Sequence, residues 1–416
     1  MIVRHVNLTD YRNYAAVDVA LEPGPNLFVG RNGQGKTNLV EAIGYLSTLG
    51  SHRVSSDQAL IKHGADAAII RIRIAHDERE LLAEVQLNRG AANRAQVNRS
   101  QIKPRELPRY VSTVLFAPED LLIVRGDPSA RRRFIDQLLV QRAPRLSGVI
   151  ADYERSLKQR NSLLKSARAR GLKQGPLATL DLWDERLVQY GSEIIAERVR
   201  LVRKLAEPLR SAYTAVAGDD HGPILQPVLS IAGSDAEDDA APADSRQGAG
   251  DGPASTADFG DVSVVAERFR GALLEKRAAE LDRGLTLVGP HRDDVFFGLN
   301  GLPVKGYASH GESWSFALAA KLASAELLRA DSSLGDPVLI LDDVFAELDS
   351  RRRTRLAAAV SDYDQVIITA AVFEDVPVEF RAHVVRIEAG RIIEAGAAAD
   401  PQVAEQSTER EESSDE

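Results

Sequence analysis

Residues 1–30 alternate between apolar and polar positions and then close up into the run "NLFVG" from Asn26 to Gly30, which predicts strands, the last of them buried. Leu39, Val40, Ile43 and Leu46 follow at helical spacing, so a helix is predicted to start at Lys36. Period-two alternation in "AIIRIRIA", "LLAEVQLN" and "RAQVN" predicts a three-stranded meander, and "VSTVLFAPED" reads as a strand ending at Pro118. The period changes after Asp127-Pro128, a cap followed by proline at the first helical position. Helical spacing dominates to about Arg170 and resumes from Leu177 to about Ala217, with Trp183, Leu187, Tyr190 and Ile194 on one face; a further helix covers roughly 262–282. Strand character returns at "LTLVG". "VFFGLNGLPV" is a hairpin whose Asn300-Gly301 suits a type I′ turn. A helix at "SHGESWSFALAAKLASAELL", buried strands at "PVLILDD" and "QVIIT", and a hairpin at "HVVRIEAGRIIEA" complete the pattern. The implied layout is one α/β lobe in two pieces, residues 1–119 and 283–397, around an inserted helical lobe, 120–282. No internal repeat and no sustained heptad pattern is present, which excludes a long coiled-coil arm.

Charge changes that picture in two places. Residues 233–261 hold eight acids and one base, and residues 400–416 hold seven acids and one base. Both stretches are poor in large apolar side chains, so the linker 233–261 and the tail 398–416 are expected to be disordered. The whole chain carries a formal charge of -9; without these two stretches the net charge is +4. The chain contains no cysteine, which excludes disulfides and thiolate metal sites. It shows neither the apolar core of a signal peptide near its N-terminus nor a run of about eighteen apolar residues, so the expectation is a cytoplasmic protein with no membrane partner.

Candidate chemistry is concentrated at three places. "GRNGQGKT", comprising Gly30, Arg31, Asn32, Gly33, Gln34, Gly35, Lys36 and Thr37, fits G-x-x-x-x-G-K-[ST] with a strand before it and a helix after it. Glycines let backbone amides turn onto phosphate oxygens, the helix N-terminus adds its dipole, Lys36 reaches the outer phosphates and Thr37 offers a hydroxyl to Mg²⁺. "VLILDD" ends a buried strand in two acids: Asp342 is placed to hold the metal, and Asp343 to orient or deprotonate an attacking water. "SHGE", Ser309 to Glu312, is a capping box ahead of an apolar helix, and the same helix start is also an anion site.

The order of these elements resembles the ATP-binding-cassette class of P-loop ATPases, and more narrowly the RecF family of bacterial DNA replication and repair proteins. The strings that carry it run from "LTDYRNY" at Leu8 through "SHR" (Ser51–Arg53), "FAPEDL", "GDPSARRRFID" and "GPHRDD" (Gly289–Asp294) to "LDDVFAELD" at Asp349. The resemblance implies an α/β P-loop NTPase of cassette-head type with an inserted helical lobe. It implies ATP and Mg²⁺ as ligands, Lys36 and Asp343 as catalytic residues, and Thr37 and Asp342 at the metal. Ser309, Gly311 and Glu312 would act in trans across an ATP-dependent homodimer, with Asp349 in the loop crossing that interface and Arg12 and Asn13 near the nucleotide. Three departures stand out: His310 occupies the first glycine position of the cassette signature, Thr369 and Ala370 stand where a switch histidine is usual, and only the Pro118–Glu119 segment lies near the usual metal-sensing glutamine. The second of these suggests slow hydrolysis.

Residues 125–173 contain thirteen Lys/Arg against four acids, an electrostatic footprint for DNA backbone, with Arg155, Lys158, Arg160 and Lys165 as candidate contacts. Arg131 to Arg133 face all round a helix, so at least one of them points inward. Aromatic residues do not interleave with the basic run, so duplex or junction backbone fits better than stacked single strands. The resemblance adds RecO and RecR as partners and a weak ATPase acting as a DNA-binding switch in recombinational repair. The alternatives are the nucleotide-binding subunit of a transporter and another cassette-type chromosome ATPase.

Overall fold

The computed structural model describes residues 1–76, 79–171, 178–233, 259–332 and 335–397. Strands β1 (Ile2–Tyr11), β2 (Tyr14–Ala20) and β3 (Gly24–Val29) lead into helix α1 (Lys36–Thr48). Strands β4 (Ala67–His76), β5 (Arg79–Asn88), β6 (Arg94–Val97), β7 (Ser100–Ile102) and β8 (Thr113–Phe116) follow. Next come helices α2 (Leu121–Arg125), α3 (Pro128–Arg142), α4 (Leu146–Ala169) and α5 (Ala178–Ala217), strand β9 (Ile224–Val228) and helix α6 (Val262–Arg283). Strands β10 (Asp294–Leu299) and β11 (Leu302–Pro303) precede the short α7 (Val304–Tyr307) and the long α8 (His310–Asp331). The chain then runs through β12 (Val338–Asp342), α9 (Ser350–Val360), β13 (Gln365–Ala370), β14 (His383–Glu388) and β15 (Arg391–Ala397). It divides into two units, Met1–Pro118 with Ser332–Glu416, and Glu119–Asp331.

The first unit holds two six-stranded sheets. One is antiparallel in the order β2-β1-β4-β5-β6-β7; the other has the order β15-β14-β3-β13-β12-β8 and is parallel except for β15. Alternation on β4 buries Ala68, Ile70, Ile72 and Ile74. The β12 and β13 runs are buried throughout, as a parallel strand covered on both faces requires. Helix α1 shares one core with both sheets: Leu39, Val40, Ile43 and Leu46 cluster with Ile70, Ile72 and Val85 from the antiparallel sheet and Phe28, Ile340 and Ile367 from the parallel one. The predicted meander has one strand more than expected, because Asn98 and Arg99 both adopt left-handed φ (50° and 66°) and turn β6 back into β7.

The second unit is built on α5, about 60 Å long at 1.5 Å per residue for its 40 residues. α4, α6, α8 and β9 pack along it. The β10–β11 hairpin forms on the left-handed Asn300-Gly301 turn, as the dipeptide predicts. Two expectations fail here. "LTLVG" is not a strand: the amides of Thr286, Leu287 and Gly289 bond to the side chains of Asn161, Glu280 and Ser230, so no ladder is needed. Residues 283–331 belong with the helical unit and not with the ATPase lobe, because β10 pairs with β9 and the largely buried α8 packs on α5. The acidic linker falls outside the described residues at 234–258, as does the whole tail 398–416. The described end of that linker departs from expectation: Phe259 is buried in the α5–α6 core, and the Asp261 carboxylate accepts from the Ser263 amide as the N-cap of α6.

Arg160 is corrected as a candidate DNA contact. Its side chain has no exposed surface; it donates to Asp184 Oδ1 (2.6 Å), Thr286 Oγ1 (2.8 Å) and Glu280 Oε2 (2.7 Å), tying α4 to α5 and α6. A guanidinium with three donors so engaged, between two carboxylates, is a structural ion. Arg131 also points inward, forked onto Asp294 at 2.7 and 2.8 Å. Arg160→Ala strands the buried Glu280 charge and is expected to lower folding stability by about 3–5 kcal/mol. Arg155→Ala, which breaks only a surface pair with Asp152, is expected to cost under about 1 kcal/mol. Denaturant midpoints of the two variants check this; equal midpoints would remove the structural assignment.

Candidate functional site

Parallel pairing brings three distant strand ends to one edge of the second sheet, with Ala370 opposite Val29 and Asp342 opposite Thr369. The loop Gly30–Thr37 leaves that edge and enters α1. Two of its glycines are required by close approach. A Cβ on Gly30 would lie 2.3 Å from the Ile387 carbonyl oxygen, and one on Gly35, at φ 115°, would lie 2.7 Å from Asn13 Nδ2 and 2.8 Å from the Tyr14 hydroxyl. No side chain caps α1 and no acid sits in its first turn, so its leading amides are left for an anionic ligand. Lys36 is buried and folds its amine back over the loop, donating to the carbonyls of Gly30 (2.7 Å) and Arg31 (3.4 Å).

Around the loop the acid pair takes two different postures. Asp342 is buried; its Oδ1 accepts from Thr37 Oγ1 at 3.0 Å and from Thr369 Oγ1 at 2.6 Å. Asp343 turns to a left-handed φ of 52°, unusual for a non-glycine residue, and its amide donates to Thr369 Oγ1 at 2.9 Å. Its buried Oδ1 has no hydrogen-bond partner. Among the described residues no three His, Cys, Asp or Glu side chains gather as a metal cage. The Thr37–Asp342 pair instead supplies two hard oxygens, the sparse protein contribution that Mg²⁺ takes when phosphates complete its shell.

A second layer braces this cluster. Glu41 on α1 is buried, receives a two-pronged bond from Arg12 (2.8 and 2.7 Å) and accepts from Ser51 Oγ. Burial alone would raise its pKa, but Arg12 and Ser51 hold it below the usual carboxylate range. The Ser51 hydroxyl in turn accepts from the amides of Arg53 and Val54, which fixes the loop that sets His52 Nε2 3.8 Å from Asp342 Oδ2. Asn13 does lie at the loop, donating to the Gln34 carbonyl and accepting from Asn38, whereas Arg12 is taken up by Glu41.

The structure thus gathers Gly30–Thr37, Asp342 and Asp343, and it adds two residues to which the sequence assigns no role. Thr369 stands where a histidine is usual, and its hydroxyl links the two acids. His52 lies inside the "SHR" string and reaches the first acid only through the fold. Elsewhere, Ser309 and Glu312 form the capping box at the start of α8, Ser309 N to Glu312 Oε2 at 2.8 Å and Glu312 N to Ser309 Oγ at 3.2 Å, with Gly311 between them. Asp349 caps α9 by accepting from the Arg352 amide. Arg155, Lys158 and Lys165 are exposed on α4. No helix among the described residues is long and apolar enough to cross a membrane.

Residues 2–387 match the family described as RecF/RecN/SMC N terminal domain. The chain is 65% identical to the DNA replication and repair protein RecF of Leifsonia xyli subsp. xyli, over 95% of this chain and all of the relative. It is 51% identical to the protein of the same name from Streptomyces avermitilis, over 91% of this chain and 95% of that one. A solved structure of the recombination mediator protein RecF with ATP in the RecFOR pathway is similar over 95% of this chain and 97% of that one, at a TM-score of 0.80 and 26% identity. With the cassette-type head, its phosphate loop and this similarity along almost the whole chain, the protein belongs to the RecF family, whose members act in DNA replication and recombinational repair.

Proposed function

We propose that the chain is an ATP-gated DNA-binding switch: ATP drives two copies together, the dimer clamps duplex or gapped DNA, hydrolysis reopens it, and the cycle helps load a recombinase. The observation that carries the nucleotide part is the convergence of Thr37 and Asp342 at 3.0 Å across 305 residues of sequence, beside an amine and a glycine loop built for phosphate. The solved RecF structure containing ATP supports the same ligand. Mg²⁺, when bound, would neutralise charge on the outer phosphates. Thr37 and Asp342 would hold it, and Lys36 would exchange its carbonyl partners for a phosphate oxygen. Asp343, with one buried oxygen unpartnered and its backbone turned out of the strand, would take the proton of, or orient, the attacking water.

The dimer part rests on α8. The Ser309 hydroxyl accepts from the Glu312 amide, which leaves its own proton free to donate to a phosphate held by the other copy. Asp349 would line the same junction. RecO and RecR enter as partners through the pathway that the similar solved structure names.

Four substitutions test this reading. Lys36→Met removes a charged donor and is expected to weaken ATP binding about tenfold to a hundredfold by calorimetry; unaltered affinity and dimerisation would overturn the assignment. Asp342→Asn is expected to lose Mg²⁺-dependent nucleotide affinity. Asp343→Asn is expected to keep that affinity, lose about 10²–10⁴ in hydrolysis rate and lengthen the lifetime of the dimer. Swapped phenotypes would exchange the two roles, and two active variants would make the strand end structural. Ser309→Arg is expected to spare nucleotide binding but block ATP-dependent dimerisation in light scattering; a dimer would reduce the motif to a helix cap.

A further inference from the structure

We infer that the β6–β7 hairpin and the turn after it form a phosphate-backbone contact for duplex DNA, a surface on the first unit separate from the basic helices. This rests on the DNA-binding reading above. Residues 89–109 contain six cations, Arg89, Arg94, Arg99, Lys103, Arg105 and Arg109, against one acid, Glu106. All six are exposed, while Glu106 is half-buried. Among the described residues none of the six forms an ion pair; only Arg89 makes a side-chain hydrogen bond, to the Ala65 carbonyl. On β5, Gln86 lies opposite Arg94 and Glu84 lies opposite Gln96, but Glu84 is engaged by Arg71.

The contrast with the helical unit is what points here. In the run 125–173, Arg131, Arg142, Arg145, Arg155 and Arg160 are all paired with acids, so much of that positive charge is neutralised inside the unit. The hairpin keeps its charge. β7 is also the edge strand of its sheet, and charged residues commonly guard such an edge. One or two would suffice for that; six with a single acid make a surface for a polyanion. Strand β6 from Arg94 to Val97 spans about 10 Å, a length over which duplex DNA presents on the order of six phosphate charges. Residues 89–109 include no aromatic side chain, so stacked single-stranded bases are not the fit.

The test uses the full chain with Mg²⁺ and a slowly hydrolysed ATP analogue, and a 30-base-pair duplex across a series of salt concentrations. Arg94→Glu, Lys103→Glu and Arg105→Glu are combined; Arg99 is left alone because its left-handed backbone supports the turn. The triple variant is expected to keep the wild-type denaturation midpoint and ATP affinity. Its slope of log affinity against log salt is expected to be shallower by about 2.7, near 0.9 for each phosphate that is no longer neutralised. A Lys158→Glu, Lys165→Glu pair on α4 is measured beside it. An unchanged slope in the triple variant, with tight salt-sensitive binding by the wild type, overturns the hairpin surface and leaves the switch reading standing; a slope reduced only in the α4 pair does the same and moves the DNA to the helices. A wild-type protein that binds no duplex overturns both.

Discussion

Parallel pairing of β3, β13 and β12 is the constraint on which the site depends. All three strands run the same way and are buried on both faces, so their C-terminal ends share one edge and each must leave through it. The phosphate loop, Thr369 and the acid pair are what the chain places at those exits. Register then does fine work. With Asp342 opposite Thr369, one hydroxyl can donate to the first acid while accepting from the amide of the second. A shift of one residue would send the hydroxyl to the other face of the sheet.

Charge in this chain has to be read after folding rather than before. A dense count of cations in 125–173 marks a helical unit that spends many of them on its own acids, and Arg160 is the limiting case, a guanidinium with no exposure at all. A smaller count in 89–109 lies at the β7 edge of the antiparallel sheet and in the segments flanking it, with Glu106 as the one acid in the stretch. The helical unit needs internal ions because its polar residues must meet where long helices cross. The cations of 89–109 need no such partners, since all six side chains are exposed.

Much of this was legible in the sequence where local signals are decisive. The glycine octet between an apolar run and helical spacing, the Asn300-Gly301 turn and the Asp127-Pro128 helix start each depend on neighbours within a few residues, and each lies where expected. What was not legible depends on distant partners. "LTLVG" has the composition of a strand, but its amides find Asn161, Glu280 and Ser230, the first more than a hundred residues earlier. Residues 283–331 looked like a return to the ATPase lobe because strand character returned, yet β10 took β9 as its partner. The Thr369 bridge and the position of His52 beside Asp342 arise from strand register and from the Glu41–Ser51 hydrogen bond, neither of which spacing along the chain records.

The order of strands in the parallel sheet has a further consequence, for the protein's synthesis. The antiparallel sheet and α1 are complete once residue 102 has been made, and the helical unit is contiguous, so both can fold as the chain emerges. β3 and β8 cannot finish in the same way. In the sheet order β15-β14-β3-β13-β12-β8 neither touches the other, and every neighbour of either lies beyond residue 337. At translation rates of about 5–20 residues per second, the 221 residues between the end of β8 and the start of β12 leave β8 without its partner for roughly ten to forty seconds, and β3 waits longer, until β13 and β14 are made. During that interval the phosphate loop exists as a sequence but not as a site, so a nascent chain cannot bind nucleotide there until its last quarter has left the ribosome.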